Sequence, residues 1–143
     1  MSTETAATGL LALKVLTPEG SVVEGDVFEV TLPGSEGELG VLPAHAALLT
    51  QIVPGALAYR APEGPGVIAL GKGVAEVRDD RVIVLVEQAV AAEDIDAAAT
   101  EARRKQLLAE RETVGLTEER VEEIDEELAL LEVRLRVARP EAH

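Results

Sequence analysis

The stretch GSEGELGVLPAH, Gly34 to His45, sets Ser35 near His45 in sequence, spaces three glycines at Gly34, Gly37 and Gly40, and exposes two acids, Glu36 and Glu38. Each grouping has its own chemistry. A serine activated by a histidine is a nucleophile for acyl transfer. Yet none of Ser2, Ser21 and Ser35 sits in the Gly-x-Ser-x-Gly turn that would expose such an oxygen. The glycines recur every three residues, unlike the Gly-x-Gly-x-x-Gly dinucleotide loop, and the later GKG lacks the spacer and Ser/Thr of a phosphate loop. Backbone geometry is their plainer role, with Pro33 and Pro43 bracketing a shaped loop and a short strand. His45 and His143 lie far apart, cysteine is absent, and the carboxylate runs lack the Asp/Asn-and-Gly order of a calcium loop, so no metal and no cofactor is expected. No catalytic residue is expected either.

The elements that position these residues divide the chain in two. From Leu11 to about Val90 short β-type segments alternate with turns at TPEG, VPG, APEGPG and GKG. In VFEVTL the alternation places Phe28, Val30 and Leu32 on one face. VIVLVEQ is a continuous apolar run that fits a strand covered on both faces. Val74 to Val86 reads as a hairpin turning at Asp79 and Asp80. After Val90 the composition shifts to Ala, Glu, Leu and Arg, and two helices are expected. The first is capped by Asp94 and runs to about Thr113; Gly115 breaks it, and Thr117, Glu118 and Glu119 start the second. Val121, Ile124, Leu128, Leu131, Leu135 and Ala138 form one seam, to be met by Ile95, Ala98, Ala99, Ala102, Leu107 and Ala109. The fold class is α+β: a β-sandwich or flattened barrel over 1–90, then an antiparallel helical hairpin over 91–143.

Composition narrows the partners. At 143 residues the chain forms one domain, or a small domain with an appendage. Aromatic residues are 1%, so the core is aliphatic and base-stacking platforms are disfavoured. A net charge of −14 opposes nucleic acid and anionic lipid and favours basic protein partners. No apolar run reaches the roughly 20 residues of a membrane span, so no direct membrane insertion is expected. MSTETAATGLLALKVL has no basic region before its apolar run, so it reads as neither a secretory signal nor a transit peptide.

Three blocks carry a resemblance: GSEGELGVLPAHAALLT with PGAL, GKGVAEVRDDRVIVL, and EDIDAA at the entry to the helices. In this order, on this β-then-helices plan, the chain resembles the epsilon subunit of F-type ATP synthase, called delta in mitochondria. The resemblance implies a sandwich of about ten strands and a two-helix hairpin. It implies binding to the gamma subunit in the central stalk and to the c-ring of the membrane sector, on the cytoplasmic face of the bacterial inner membrane, with no catalysis of its own. It sets Glu36 and Glu38 against the c-ring, Glu38 at the family's contact glutamate, with His45 near the same surface. It implies that the hairpin can extend to the catalytic alpha/beta head and inhibit ATP hydrolysis. The basic residues available are Arg120, Arg134, Arg136 and Arg139, with the last three as carriers. Relatives that bind ATP carry Ile/Leu-Asp-x-x-Arg-Ala; here Ile95 and Asp96 are kept, but Ala99 and Thr100 follow, so weak or no ATP binding is expected unless Arg103 or Arg104 compensates. The competing reading is a free acidic adaptor that docks a basic protein; a small hydrolase using Ser35 and His45 is more remote.

Overall fold

The computed structural model describes residues 9–138. Ten strands come first: β1 (Leu11–Thr17), β2 (Gly20–Val27), β3 (Glu29–Gly34), β4 (Gly37–Val41), β5 (Leu48–Ile52), β6 (Gly55–Ala61), β7 (Gly64–Leu70), β8 (Gly73–Arg78), β9 (Arg81–Val86) and β10 (Ala89–Ala91). A single 3-10 turn at Ala92–Asp94 leads into α1 (Ala97–Arg111) and α2 (Glu118–Ala138). The strands run in the order β10-β7-β6-β3-β5-β8-β9-β1-β2, with β4 paired on the other edge of β3. β3 is the hinge of this nearly closed sandwich. It pairs with β6 over Glu29 to Thr31 and with β5 only at Gly34 opposite Ile52, so the sheet folds over itself there.

Alternation fills the interior. Leu11, Leu13 and Val15 of β1 point inward beside Val82 and Val84 of β9, and meet Val30, Leu32, Leu57 and Ile68 from the facing strands. Burying each such side chain stabilises the fold by about 1.5–3 kcal/mol before chain entropy is counted. The single Phe and the single Tyr stay out of the fully buried set, so the core is aliphatic as the composition implies.

Two strand expectations need correction. Phe28 does not share a face with Val30 and Leu32; it stands between β2 and β3, is 36% exposed, and lies under the Arg60 guanidinium at 4.9 Å. The chain crosses from one sheet to the other at Phe28, which breaks the alternation and leaves Val27 as the inward residue. Among the described residues β9 is covered on one face only: Val82, Val84 and Val86 are buried, whereas Leu85 is 48% exposed.

The β8–β9 hairpin does turn at Asp79 and Asp80, both in the left-handed region (φ 52° and 59°) that a two-residue hairpin turn demands. In the helices the start of α1 and the seam shift. Asp96, not Asp94, caps α1, its Oδ1 accepting from the Ala99 amide at 3.0 Å; Asp94 belongs to the 3-10 turn. α1 ends at Arg111, and Gly115 does adopt positive φ (89°) in the connection. Thr117 caps α2 as expected, its Oγ1 accepting from the Arg120 amide at 3.0 Å.

The alanine stripe is not a seam. Leu107 is the one buried residue of α1, and Ala98, Ala99, Ala102 and Ala109 are exposed. On α2, Ile124 and Leu131 meet Leu107, while Val133 and Val137 turn to a second face and pack on Ala69 of β7. A one-seam reading misses Val133 and Val137 because α2 serves two neighbours, α1 and the sandwich, and so is apolar on two sides.

Candidate interaction surfaces

The acidic stretch folds as a tight hairpin. Gly34 pairs with Gly37, leaving Ser35 and Glu36 as the two-residue turn, and Gly37 has the positive φ (121°) that closes it. Glu38 follows on β4, opposite Pro33, with its side chain exposed on an edge strand. The Ser35 amide donates to the Gln51 carbonyl at 3.0 Å and the Val53 amide to the Pro33 carbonyl at 3.0 Å, so the acidic tip is fastened to the end of β5. Ser35 is therefore a turn residue on a strand end, with its backbone spent on β5.

His45 sits elsewhere. It lies in the connection from β4 to β5, before the Leu48 end of the strand, and Leu48 is about 10 Å from Gln51 at the rise of an extended strand. There the Ala44 amide donates to Asp80 Oδ1 at 2.6 Å, and Ala44 takes a left-handed φ of 68°. His45 is partly buried, its Nδ1 2.8 Å from the Ala46 carbonyl. The structure thus brings Glu36 and Glu38 together and separates both from His45, and it holds Ser35 apart from His45 as well.

Between these ends, the outer face of β5-β8-β9-β1 is uncovered among the described residues: it carries Lys14, Glu76, Arg78 and Arg81 toward the Asp79–Asp80 turn and an apolar strip of Leu16, Val74 and Leu85 toward the other end. Val74 pairs with Leu85, and Leu85 with Leu16. Leu49 is 73% exposed and Val74 and Val53 each 40%. A shallow groove edged by Pro18, Val53 and Leu85 runs along this face to the end that carries the acidic tip. Sequence reading missed this surface because it took VIVLVEQ as doubly covered; Val74 and Leu85 are cross-strand partners that both face outward.

On the hairpin, Ile95 packs beneath α2 with Ala69, Val133 and Val137, and Asp96 is spent as the helix cap. The arginines that could stand in for the absent motif arginine are engaged. Arg103 forms a fork with Glu127, at 2.8 and 3.1 Å, and Arg104 reaches Glu101 at 3.5 Å and Glu132 at 3.7 Å. Arg111 meets Asp125 at 2.9 Å, and Arg120 grips Glu110 with both contacts at 2.7 Å. The Arg120 hydrogen bonds hold the Glu110 carboxyl below its ordinary range, and Arg103 does the same to Glu127.

Arg134 is partly buried, which pulls its pKa down, and it donates to the Gln88 side chain at the start of β10. Arg136 is exposed beside Ala97 and Leu135. Arg139 lies outside the described residues. Among the described residues no three acidic or histidine side chains are grouped to hold a metal ion.

Residues 10–92 match the family described as the ATP synthase, Delta/Epsilon chain, beta-sandwich domain. An ATP synthase epsilon chain of Persephonella marina is 42% identical over 137 residues, covering 85% of this chain and 98% of that relative. One from Parasynechococcus marenigrum is 48% identical over 92 residues, covering 64% of this chain and 68% of that one. Among solved structures, a chain of the Euglena gracilis mitochondrial ATP synthase, in an assembly described as OSCP/F1/c-ring, superposes with a TM-score of 0.76 at 23% identity, over 91% of this chain and 81% of that one. A chain from the central stalk and c-ring of the Tetrahymena thermophila mitochondrial enzyme gives 0.56 at 17% identity, over 90% and 96%. At those identities the structural likeness speaks for the shared sandwich-and-hairpin fold. With the family matched over residues 10–92 and the Persephonella marina relative over 85% of the chain, the chain belongs to the delta/epsilon family of ATP synthase, as a non-catalytic epsilon-type subunit of its rotor stalk.

Proposed function

We propose that this subunit couples c-ring rotation to the catalytic head by seating the apolar strip of its outer sheet face on the gamma subunit and its acidic hairpin on the polar loops of the c-ring. The observation that carries the reading is the pairing of two unlike surfaces at one end of the sandwich. The apolar strip of Val53, Val74 and Leu85 is suited to a permanent interface, and the adjoining Glu36 and Glu38 tip to a polar, electrostatically registered one. In this reading residues 1–90 bind gamma and the c-ring and 91–143 regulate. Its place is the cytoplasmic face of the bacterial inner membrane, held through its partners; no described helix is long and apolar enough to cross a membrane.

The hairpin would extend toward the alpha/beta head and inhibit hydrolysis through Arg134, Arg136 and Arg139. Arg134 would then have two roles, because in the closed form it is tied to Gln88. An unchanged hydrolysis rate in the assembled enzyme after replacing all three would remove the inhibitory role.

The test of the main reading is affinity purification of a tagged copy from native membranes. Stoichiometric recovery of gamma, the catalytic head and the c-ring is expected. Recovery with an unrelated soluble basic protein alone would favour the adaptor reading.

A further inference from the structure

The two contacts that hold the hairpin closed differ in kind. α1 packs on α2, and α2 in turn packs on β6, β7 and the 3-10 turn. Between α1 and α2 the buried apolar material is small: Leu107, Ile124 and Leu131, with Leu116 and Leu128 beside them. Along the same seam run four Arg–carboxylate pairs that all cross from one helix to the other: Arg103–Glu127, Arg104–Glu132, Arg111–Asp125 and Arg120–Glu110.

The helices are also complementary as wholes. α1 has four basic and two acidic side chains, and α2 has eight acidic and three basic. Between α2 and the sandwich the balance reverses. Val133 and Val137 pack on Ala69 with Ala56, Val67 and Ile95, Arg134 donates to a neutral amide, and the one ion pair there among the described residues is Lys72 with Glu126 at 3.6 Å.

We infer that hairpin closure is an ionic-strength-dependent latch in which salt releases α1 from α2 while the C-terminal half of α2 stays seated on the sandwich. The pairs of the ladder are one third to half exposed, so mobile ions reach them. The screening length falls from about 10 Å at 0.1 M salt to about 3 Å at 1 M, which weakens every pair and the attraction between the helices together. Apolar burial of Val133 and Val137 has no such dependence on simple salt. Once released, α1 is a 15-residue helix without a partner, and such helices are marginal in water. This inference stands on the isolated chain and does not require the rotor assembly.

The experiment is amide hydrogen exchange, read residue by residue by NMR on the full chain at fixed pH, in 0.05 and 1 M NaCl, with β-sheet amides as the internal reference. Exchange detects rare openings as well as common ones. Protection of α1 amides is expected to fall about tenfold across this range, the product of four weakened pairs, while amides of Val133 to Val137 hold. Equal loss in α1 and in Val133 to Val137, or no loss in either, would overturn the inference. The variant carrying Arg103→Gln and Arg120→Gln should have weakly protected α1 amides at low salt and a flattened salt response; a full response there would also overturn it. The charge swap Glu110→Arg with Arg120→Glu keeps the pair in reverse and should keep the salt response. Its loss in the swap would assign the effect to side-chain fit instead of charge.

Discussion

Several motif residues turn out to serve geometry. Gly73, in the GKG segment, faces β9 so closely that a Cβ added there would lie 2.0 Å from the Leu85 carbonyl oxygen. That contact is with backbone and cannot rotate away. Gly73→Ala should therefore cost about 3 kcal/mol, read as a lower urea midpoint with an unchanged slope. Gly66 makes room for the single tyrosine in the same way: it pairs with Tyr59, whose ring covers the glycine. These roles were legible only as turn or motif glycines, since close approach is a property of the partner strand and not of the residue's neighbours in sequence. That Glu36 and Glu38 lie on a shaped loop with a short strand was legible from the bracketing prolines and the glycines, and the structure makes that loop the turn of the β3–β4 hairpin. The bond from Asp80 to the Ala44 amide was not, since it joins residues brought together by the sheet alone.

Among the elements, the helical hairpin departs furthest from its sequence pattern. Alanine spacing implied an apolar seam, but small side chains bury little, and the long arginines cross the gap to α2 instead. Acid should expose this. The Glu110 carboxyl faces Arg120 and Arg103, the Glu127 carboxyl faces Arg103, Arg120 and Arg134, and both titrate below their ordinary value of 4.5. Their contribution to closure is thus complete above about pH 4.5 and is lost as pH falls through the depressed folded values. Protection of α1 amides should decline over that acid window while the β-sheet amides persist. The same arginine engagement bears on nucleotide. With Arg103 and Arg104 paired and Asp96 spent on the Ala99 amide, titration calorimetry with ATP is expected to show no tight binding.

At the scale of the molecule, the apolar strip of the outer face and the acidic tip make separable demands. Leu85→Asp places a charge in the apolar strip of the uncovered face and should abolish co-purification of gamma. Glu38→Gln leaves that face intact. It should preserve gamma binding and weaken coupling between ion flow and ATP synthesis, read as a lower synthesis rate in membrane vesicles with hydrolysis unimpaired. A variant at Glu38 that instead lost gamma would place the gamma contact on the acidic tip.

The one parallel pairing among the described residues, β1 against β9, bears on how the chain is made. Leu13 of β1 lies beside Val82, about 70 residues further along. At about 5–20 residues per second on the ribosome, β1 leaves the exit tunnel several seconds before its parallel partner exists. Until then it can form a ladder only with β2, its free edge open to other nascent chains. Closure of the sandwich is therefore a late, non-local event, and a translational pause placed between the codons for β2 and β9 should lower the yield of soluble subunit more than one placed within the helices.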